Sequence, residues 1–374
     1  MDGFSLSPSR KIVTNFASRS SSSGVQDVYE EGVWVLNTCS GTSWLACALS
    51  NGNLHVYDHE RLQPLHTYDA PHGDNQITDL SSDSFNALIT SSKNGSVCLF
   101  DIRQTTPALK FEIPRNEEAL SVDLGYGGAL AAVGSSKAQI HFFDIRAGGK
   151  LMGSYVDAHT DEVTRVRFQP SAEGNSGETT SLLVSASEDG LACIFDSSQP
   201  SEEAALQGVL NVQAPLRSVG FFGPTYEGIY CLTGSESLSV WHHDTAQRIC
   251  DFGLNLRNDL SELASVPVDY LVDCFWNASK QQLSLLTGNH AGDGAVFQVE
   301  AGKITPLCKL QNGHRGDIRS WCHMPSGDVF ATVGEDARLC EWNRAGGVSP
   351  SATPKSAAPA RRQKSKTKGS SNPY

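Results

Sequence analysis

Seven times along this chain of 374 residues an apolar stretch gives way to a small polar turn, then to four or five alternating residues, then to a bulky anchor. The fullest copies are Val184–Asp196 and Phe330–Trp342. The anchors fall at Tyr57, Phe100, Phe143, Phe195, Trp241, Val299 and Trp342, with spacings of 43, 43, 52, 46, 58 and 43 residues. A period near 40–45 residues is that of a four-stranded sheet repeated along a chain. One such sheet cannot bury its own faces, so the copies must stack on one another. This period outranks any local motif, because it decides the fold.

Two spacings are long for visible reasons. The polar insert Gln169 to Ser181 lies in one, and the connector Asn255 to Pro267 lies in the other. The sixth copy is degenerate, with Val299 and Glu300 where an aromatic and an acid are expected. Opening strands with period-two alternation stand out at Val163–Phe168 and Ile318–Trp321. No strand follows Trp342, so the seventh copy lacks its outer strand, and Lys11–Phe16 can supply it from the other terminus. Pairing the termini in one blade closes the ring and removes exposed sheet edges. The expected fold is therefore all-β, a seven-bladed propeller over residues 11–345 closed by an N-terminal strand in the last blade. Residues 1–10 and 346–374 read as disordered tails.

The repeat resembles the WD-repeat blade. His159 with Ser185, Asp189 and the Phe195 position, and His314 with Thr332, Asp336 and Trp342, match that family's buried hydrogen-bonded tetrad. The first set lacks the Trp ring N–H. A buried polar group needs a partner, so these histidines read as structural rather than as metal ligands or bases.

Composition narrows the function. No run of eighteen apolar residues and no secretory core near Met1 occur, so a soluble, intracellular protein without a membrane partner is expected. The Ser18–Ser23 run with Arg10, Lys11 and Arg19 reads as a connector rather than a transit peptide. Ten cysteines are scattered singly, and Cys98, Cys193 and Cys340 each sit two residues before an anchor, as packing residues do. The segment after Ser349 holds six bases (Lys355, Arg361, Arg362, Lys364, Lys366 and Lys368) and no acid. That leaves 23 bases against 41 acids in the remainder, which opposes broad nucleic-acid binding by the body. The tail suits a nuclear or nucleolar address, or a weak RNA-touching arm, with a cytoplasmic location as the alternative.

Chemistry-bearing motifs are missing from the sequence. There is no nucleophile elbow, no zinc-protease helix and no phosphate loop. Gly288–Gly294 falls between two strands without a helix to bind an anion. His242 and His243 are expected on opposite strand faces, a poor chelate. The acid pairs Glu117-Glu118 and Glu202-Glu203 read as solvated. We expect no enzyme, no cofactor, no metal and no small-molecule substrate.

Partner-binding candidates remain. Blades two and three both end in an aromatic-Asp-x-Arg motif, Phe100-Asp101-Ile102-Arg103 and Phe143-Asp144-Ile145-Arg146. The motif resembles that of propellers serving as substrate receptors of cullin-4 ubiquitin ligases, and Arg103 and Arg146 should project from the wider face. On the opposite rim, the Asn255–Pro267 connector, the Gly288–Gly294 turn and Asp269 with Tyr270 form a second candidate.

Further segments narrow the resemblance to the WD repeat-containing protein 89 family, including its plant members. They are Ser50–Asp58, His159–Pro170, Asp269–Leu271 and Gly334–Trp342. That resemblance implies a protein-interaction scaffold, and its plant branch implies ribosome assembly and growth control. Two readings follow: a nuclear or nucleolar scaffold meeting ribosome-assembly factors, or a receptor docking on the cullin-4 adaptor.

Overall fold

A computed structural model describes residues 4–13, 32–83, 85–114, 116–170, 181–324 and 328–344. Seven antiparallel sheets follow one another along the chain, each a blade. Their innermost strands are Val35–Ser40, Ile77–Ser82, Ala119–Gly125, Val163–Phe168, Leu216–Phe222, Tyr270–Asn277 and Ile318–His323. In each blade three further strands meander outward from the innermost. Val299 holds the anchor place of blade six, opposite Leu283, just as Trp342 lies opposite Phe330 in blade seven.

Burial falls from the middle of a blade outward. The second strands Trp44–Leu49 and Gly228–Thr233 are buried at every position, whereas Lys150–Tyr155, an outer strand, is mostly exposed. A strand covered on both faces reads as an unbroken apolar run, which is why the second strands lack alternation. The core lies between blades. One cluster joins Trp44, Leu54 and Tyr68 of blade one to Ile77, Leu88 and Phe100 of blade two.

The N-terminal segment closes the ring, as expected, but begins earlier. A strand β1, Phe4–Leu6, lies parallel to Cys308–Leu310 as a fifth strand on blade six. A second, β2, Arg10–Val13, pairs antiparallel with Arg338–Glu341 and completes blade seven. The expected tail 1–10 is thus structured from Phe4, because Leu6 buries its side chain in the core between blades six and seven. Thr14–Phe16, the Ser18–Ser23 run, most of the Gln169–Ser181 insert and the segment after Ser349 lie outside the described residues.

The Asn255–Pro267 connector is also not a plain loop. After a four-residue helix α1 (Glu202–Ala205), the chain forms α2 (Leu256–Ala264) in that connector. Leu256, Leu260 and Ala264 repeat every four residues and pack into the core shared by blades five and six. Ser265 ends α2 in a left-handed conformation.

Candidate interaction faces

All seven inner strands bulge near their start, six between the first and third residues and that of blade six one residue later, between Leu271 and Asp273. The polar residue that closes each bulge joins a ring of Asn37, Asp79, Ser121, Arg165, Ser218, Asp273 and Ser320. The ring is knitted. Ser320 donates to Asn37 Oδ1 at 3.0 Å, and Asn37 Nδ2 donates to Asp79 at 3.3 Å. The Asp79 carboxylate, fully buried, also accepts from Ser121 Oγ at 2.6 Å, Arg165 Nη1 at 2.7 Å and Arg167 Nη1 at 2.9 Å. One side chain therefore ties blades one, two, three and four together. Burial pushes its carboxyl upward, yet the two guanidiniums, Arg167 foremost, hold it well below the usual carboxylate range. Beside this ring lies a cavity of about 540 Å³ that Arg217 and Arg319 also line.

The tetrads stand as expected. His314 reaches Asp336 Oδ1 (2.9 Å) and Thr332 Oγ1 (2.8 Å), and Trp342 Nε1 donates to the same hydroxyl at 2.8 Å. His159 reaches Ser185 Oγ at 2.6 Å and Asp189 at 3.1 Å without the Trp. A third set escaped the sequence reading: His72 contacts Ser96 Oγ (2.6 Å) and Thr90 Oγ1 (2.7 Å), and Asn94 Nδ2 donates to the His72 carbonyl. The only hint was Asn94 in the place of Asp. Burial holds the His72 imidazole down to about 4, with Lys110 adding to the effect. Cys98, Cys193 and Cys340 are buried opposite Thr90, Ser185 and Thr332, where burial raises their thiols to about 11, 12 and 12.

In each acid pair expected to be solvated, one member is engaged instead, while Glu118 and Glu203 are exposed. Glu117 meets His141 Nε2 at 2.9 Å. Glu202 accepts the amides of Val156, Asp157 and Ala158, fixing α1 to the preceding blade. His242 and His243 do not diverge; their rings stack 5.8 Å apart. Among the described residues no three His, Cys, Asp or Glu side chains are grouped to hold a metal ion, and no helix is long and apolar enough to cross a membrane.

The two Asp-x-Arg endings differ. Arg103 folds back on Asp101, with Nε to Oδ1 at 2.8 Å and Nη2 to Oδ2 at 2.5 Å. Arg146 is exposed and has no ion-pair partner among the described residues. Asp144 instead accepts the Ala147 amide at 3.0 Å. Beside Arg146, a groove of about 530 Å³ is lined by Tyr126, Leu130 and Met152 of blade three and Ser197 of blade four.

On the opposite rim the expected neighbours do meet. Arg257 of α2 donates to the Asp269 carbonyl at 2.8 Å, and the Asp269 carboxylate accepts the His290 amide at 2.9 Å. The Tyr270 hydroxyl accepts the Ile318 amide at 2.6 Å. Asp269 thus fastens α2 and the Gly288–Gly294 turn within blade six, and Tyr270 ties blade six to blade seven. The basic residues Arg361, Arg362, Lys364, Lys366 and Lys368 lie outside the described residues.

Comparison with known proteins agrees with this architecture. The family described as WD domain, G-beta repeat matches residues 62–101, 149–196 and 305–343. The WD repeat-containing protein 89 homolog of Dictyostelium discoideum is 28% identical over 85% of this chain and 85% of its own. WD repeat-containing protein GTS1 of Arabidopsis thaliana is 31% identical over 72% of this chain and 69% of its own. In shape, a chain of the crystal structure of the mitotic checkpoint complex superposes with a TM-score of 0.67 at 16% identity, covering 92% of this chain and 97% of that one.

Proposed function

The chain belongs to the WD repeat-containing protein 89 family of WD-repeat propellers, and from that premise we propose that it is a non-enzymatic scaffold joining other proteins into an assembly. WD propellers are generally platforms for other proteins. One observation carries the reading here: the exposed large apolar side chains are not scattered. Among the described residues, eight of the eleven, from Leu151 to Leu263, fall on or near the outer strands of blades three to five and on α2. A rigid ring whose outer strands expose large apolar side chains in this sector suits protein interfaces, since exposed apolar surface marks interaction sites on folded proteins.

The basic C-terminal segment supports a nuclear or nucleolar place of work, and an assembly of the ribosome-building kind suits it; a cytoplasmic address is the alternative. Affinity purification with mass spectrometry tests the scaffold, comparing wild type with a Met152→Lys/Ile249→Lys/Leu263→Lys variant. Partners that vanish from the folded variant support the reading, and an unchanged partner set overturns the role of this sector. Deleting residues after Ser349 should leave the fold intact and move the protein out of the nucleus; unchanged location removes the targeting argument.

The free guanidinium of Arg146 favours a second reading, a substrate receptor docking on a cullin-4 ligase adaptor. Arg146→Ala should then abolish adaptor pull-down while Arg103→Ala, already held by Asp101, leaves most of it. Adaptor binding retained in the double variant contradicts this reading.

A further inference from the structure

Each blade ends in an outer strand, and soluble proteins guard such edges with charge, proline or cover. Six of these edges are guarded. The outer strand of blade one opens with Pro64, that of blade two carries Lys110 and Glu112, and that of blade three carries Lys150. Blade five has Arg248 and Asp251, blade seven has Arg10 and Lys11, and blade six has Pro306 and the cover of β1.

Blade four is the exception. Its outer strand, Leu206–Asn211, contains neither charge nor proline, and no charged residue occurs from Ala204 to Leu216. Among the described residues no strand pairs with its far side. Leu206, Gln207, Val209 and Asn211 are exposed, while Leu210 alone is buried. The edge is also held stiff at its start. Ser201 caps α1 through the Ala204 amide, and the Glu202 carboxylate grips three amides of the preceding connector. A stiff, uncharged row of backbone donors and acceptors offers main-chain pairing with little ordering cost.

We propose that the outer edge of blade four is a docking site for an extended peptide segment of a partner protein, which adds to it as a fifth strand. The inference rests on the scaffold reading above and specifies the partner's chemistry. The segment is apolar or neutral where it meets Leu206 and Val209, because the edge offers no charge for a charged residue to pair with. The chain itself shows a propeller edge accepting this arrangement, since β1 adds to blade six in the same manner. A second copy fits less well: a six-residue edge alone falls short of the roughly 1,200 Å² that a stable interface buries.

The test uses the full chain as target for a displayed library of random decapeptides, counter-selected on a Val209→Lys variant. Val209 is exposed, so the lysine installs the missing guard without filling the core. The best enriched peptide is then synthesised with a fluorescent label, once unmodified and once with alternate backbone amides N-methylated. The expected result is binding to wild type, weakened about tenfold or more by Val209→Lys at unchanged melting temperature, kept by Val209→Thr, and lost on N-methylation. Three results overturn the inference: no peptide that distinguishes wild type from Val209→Lys, equal binding of the N-methylated peptide, or a purified dimer that Val209→Lys splits. If cellular partners persist while peptides fail, the edge falls and the scaffold stands. If nothing co-purifies with the wild-type chain, the scaffold reading itself falls.

Discussion

Replacing Asp79 by Asn keeps the shape of the side chain and removes its charge, which isolates what that carboxylate does. In the native ring it has no exposed surface and accepts from two guanidiniums that reach over from blade four, at 2.7 and 2.9 Å. Breaking a buried pair by removing one partner costs about 3–5 kcal/mol, because the other charge stays behind uncompensated. Arg165 and Arg167 keep 19% and 25% of their side-chain surface in solvent, so the lower end applies, about 3 kcal/mol. Spread over the unfolding entropy of a ring this size, that lowers Tm by roughly 4 °C. The assay is calorimetry of wild type, Asp79→Asn, and Asp79→Asn combined with Arg165→Met and Arg167→Met. The orphaned charge is the cause if the triple variant recovers most of the loss. A shift under about 1 °C in the single variant, or no recovery in the triple, refutes the reasoning.

Other consequences follow from the same packing. Thr332→Val strands both His314 Nε2 and Trp342 Nε1, whereas Ser185→Ala strands only His159 Nε2. The first should cost about 2–3 kcal/mol and exceed the second, measured by urea unfolding. The His72 imidazole titrates at about 4 when folded, against about 6.5 unfolded. Because the folded value is the lower one, its contribution is full above pH 6.5 and is lost as pH falls toward 4, so the urea midpoint should drop in that window. His72→Asn should flatten that part of the profile; an unchanged profile contradicts the assignment. Leu6→Ala should cost about 2 kcal/mol through the core between blades six and seven, read as a lower denaturation midpoint with the fold retained.

The ring was legible because its anchors repeat, and Phe100, Phe195 and Trp342 are indeed buried at the heart of their blades. The polar ring was not. In every inner strand the bulge advances the alternation by one residue, so a strict period of two assigns Thr78 and Asp79 to the wrong sides. Apart from the adjacent Leu80 amide, the partners of Asp79 are also 42 to 88 residues away, beyond any local pattern. A strand of three residues, such as Phe4–Leu6, is too short to show periodicity at all. Helix α2 did carry a signal, the four-residue spacing of Leu256, Leu260 and Ala264, but the polar residues around it read as a connector. Of the candidate site residues, Arg146 has the freedom expected of a partner contact. Asp101 and Arg103 hold each other, Asp269 fastens a turn within blade six, and Tyr270 ties blade six to blade seven.

The central claim is that this propeller works as part of something larger. It is met most directly by the native mass of the endogenous protein in fresh cell extract, read by gel filtration with immunodetection. The account predicts elution well above the mass of a single chain of 374 residues, collapsing to single-chain mass in the Met152→Lys/Ile249→Lys/Leu263→Lys variant. A wild-type protein that elutes wholly as a lone chain contradicts it.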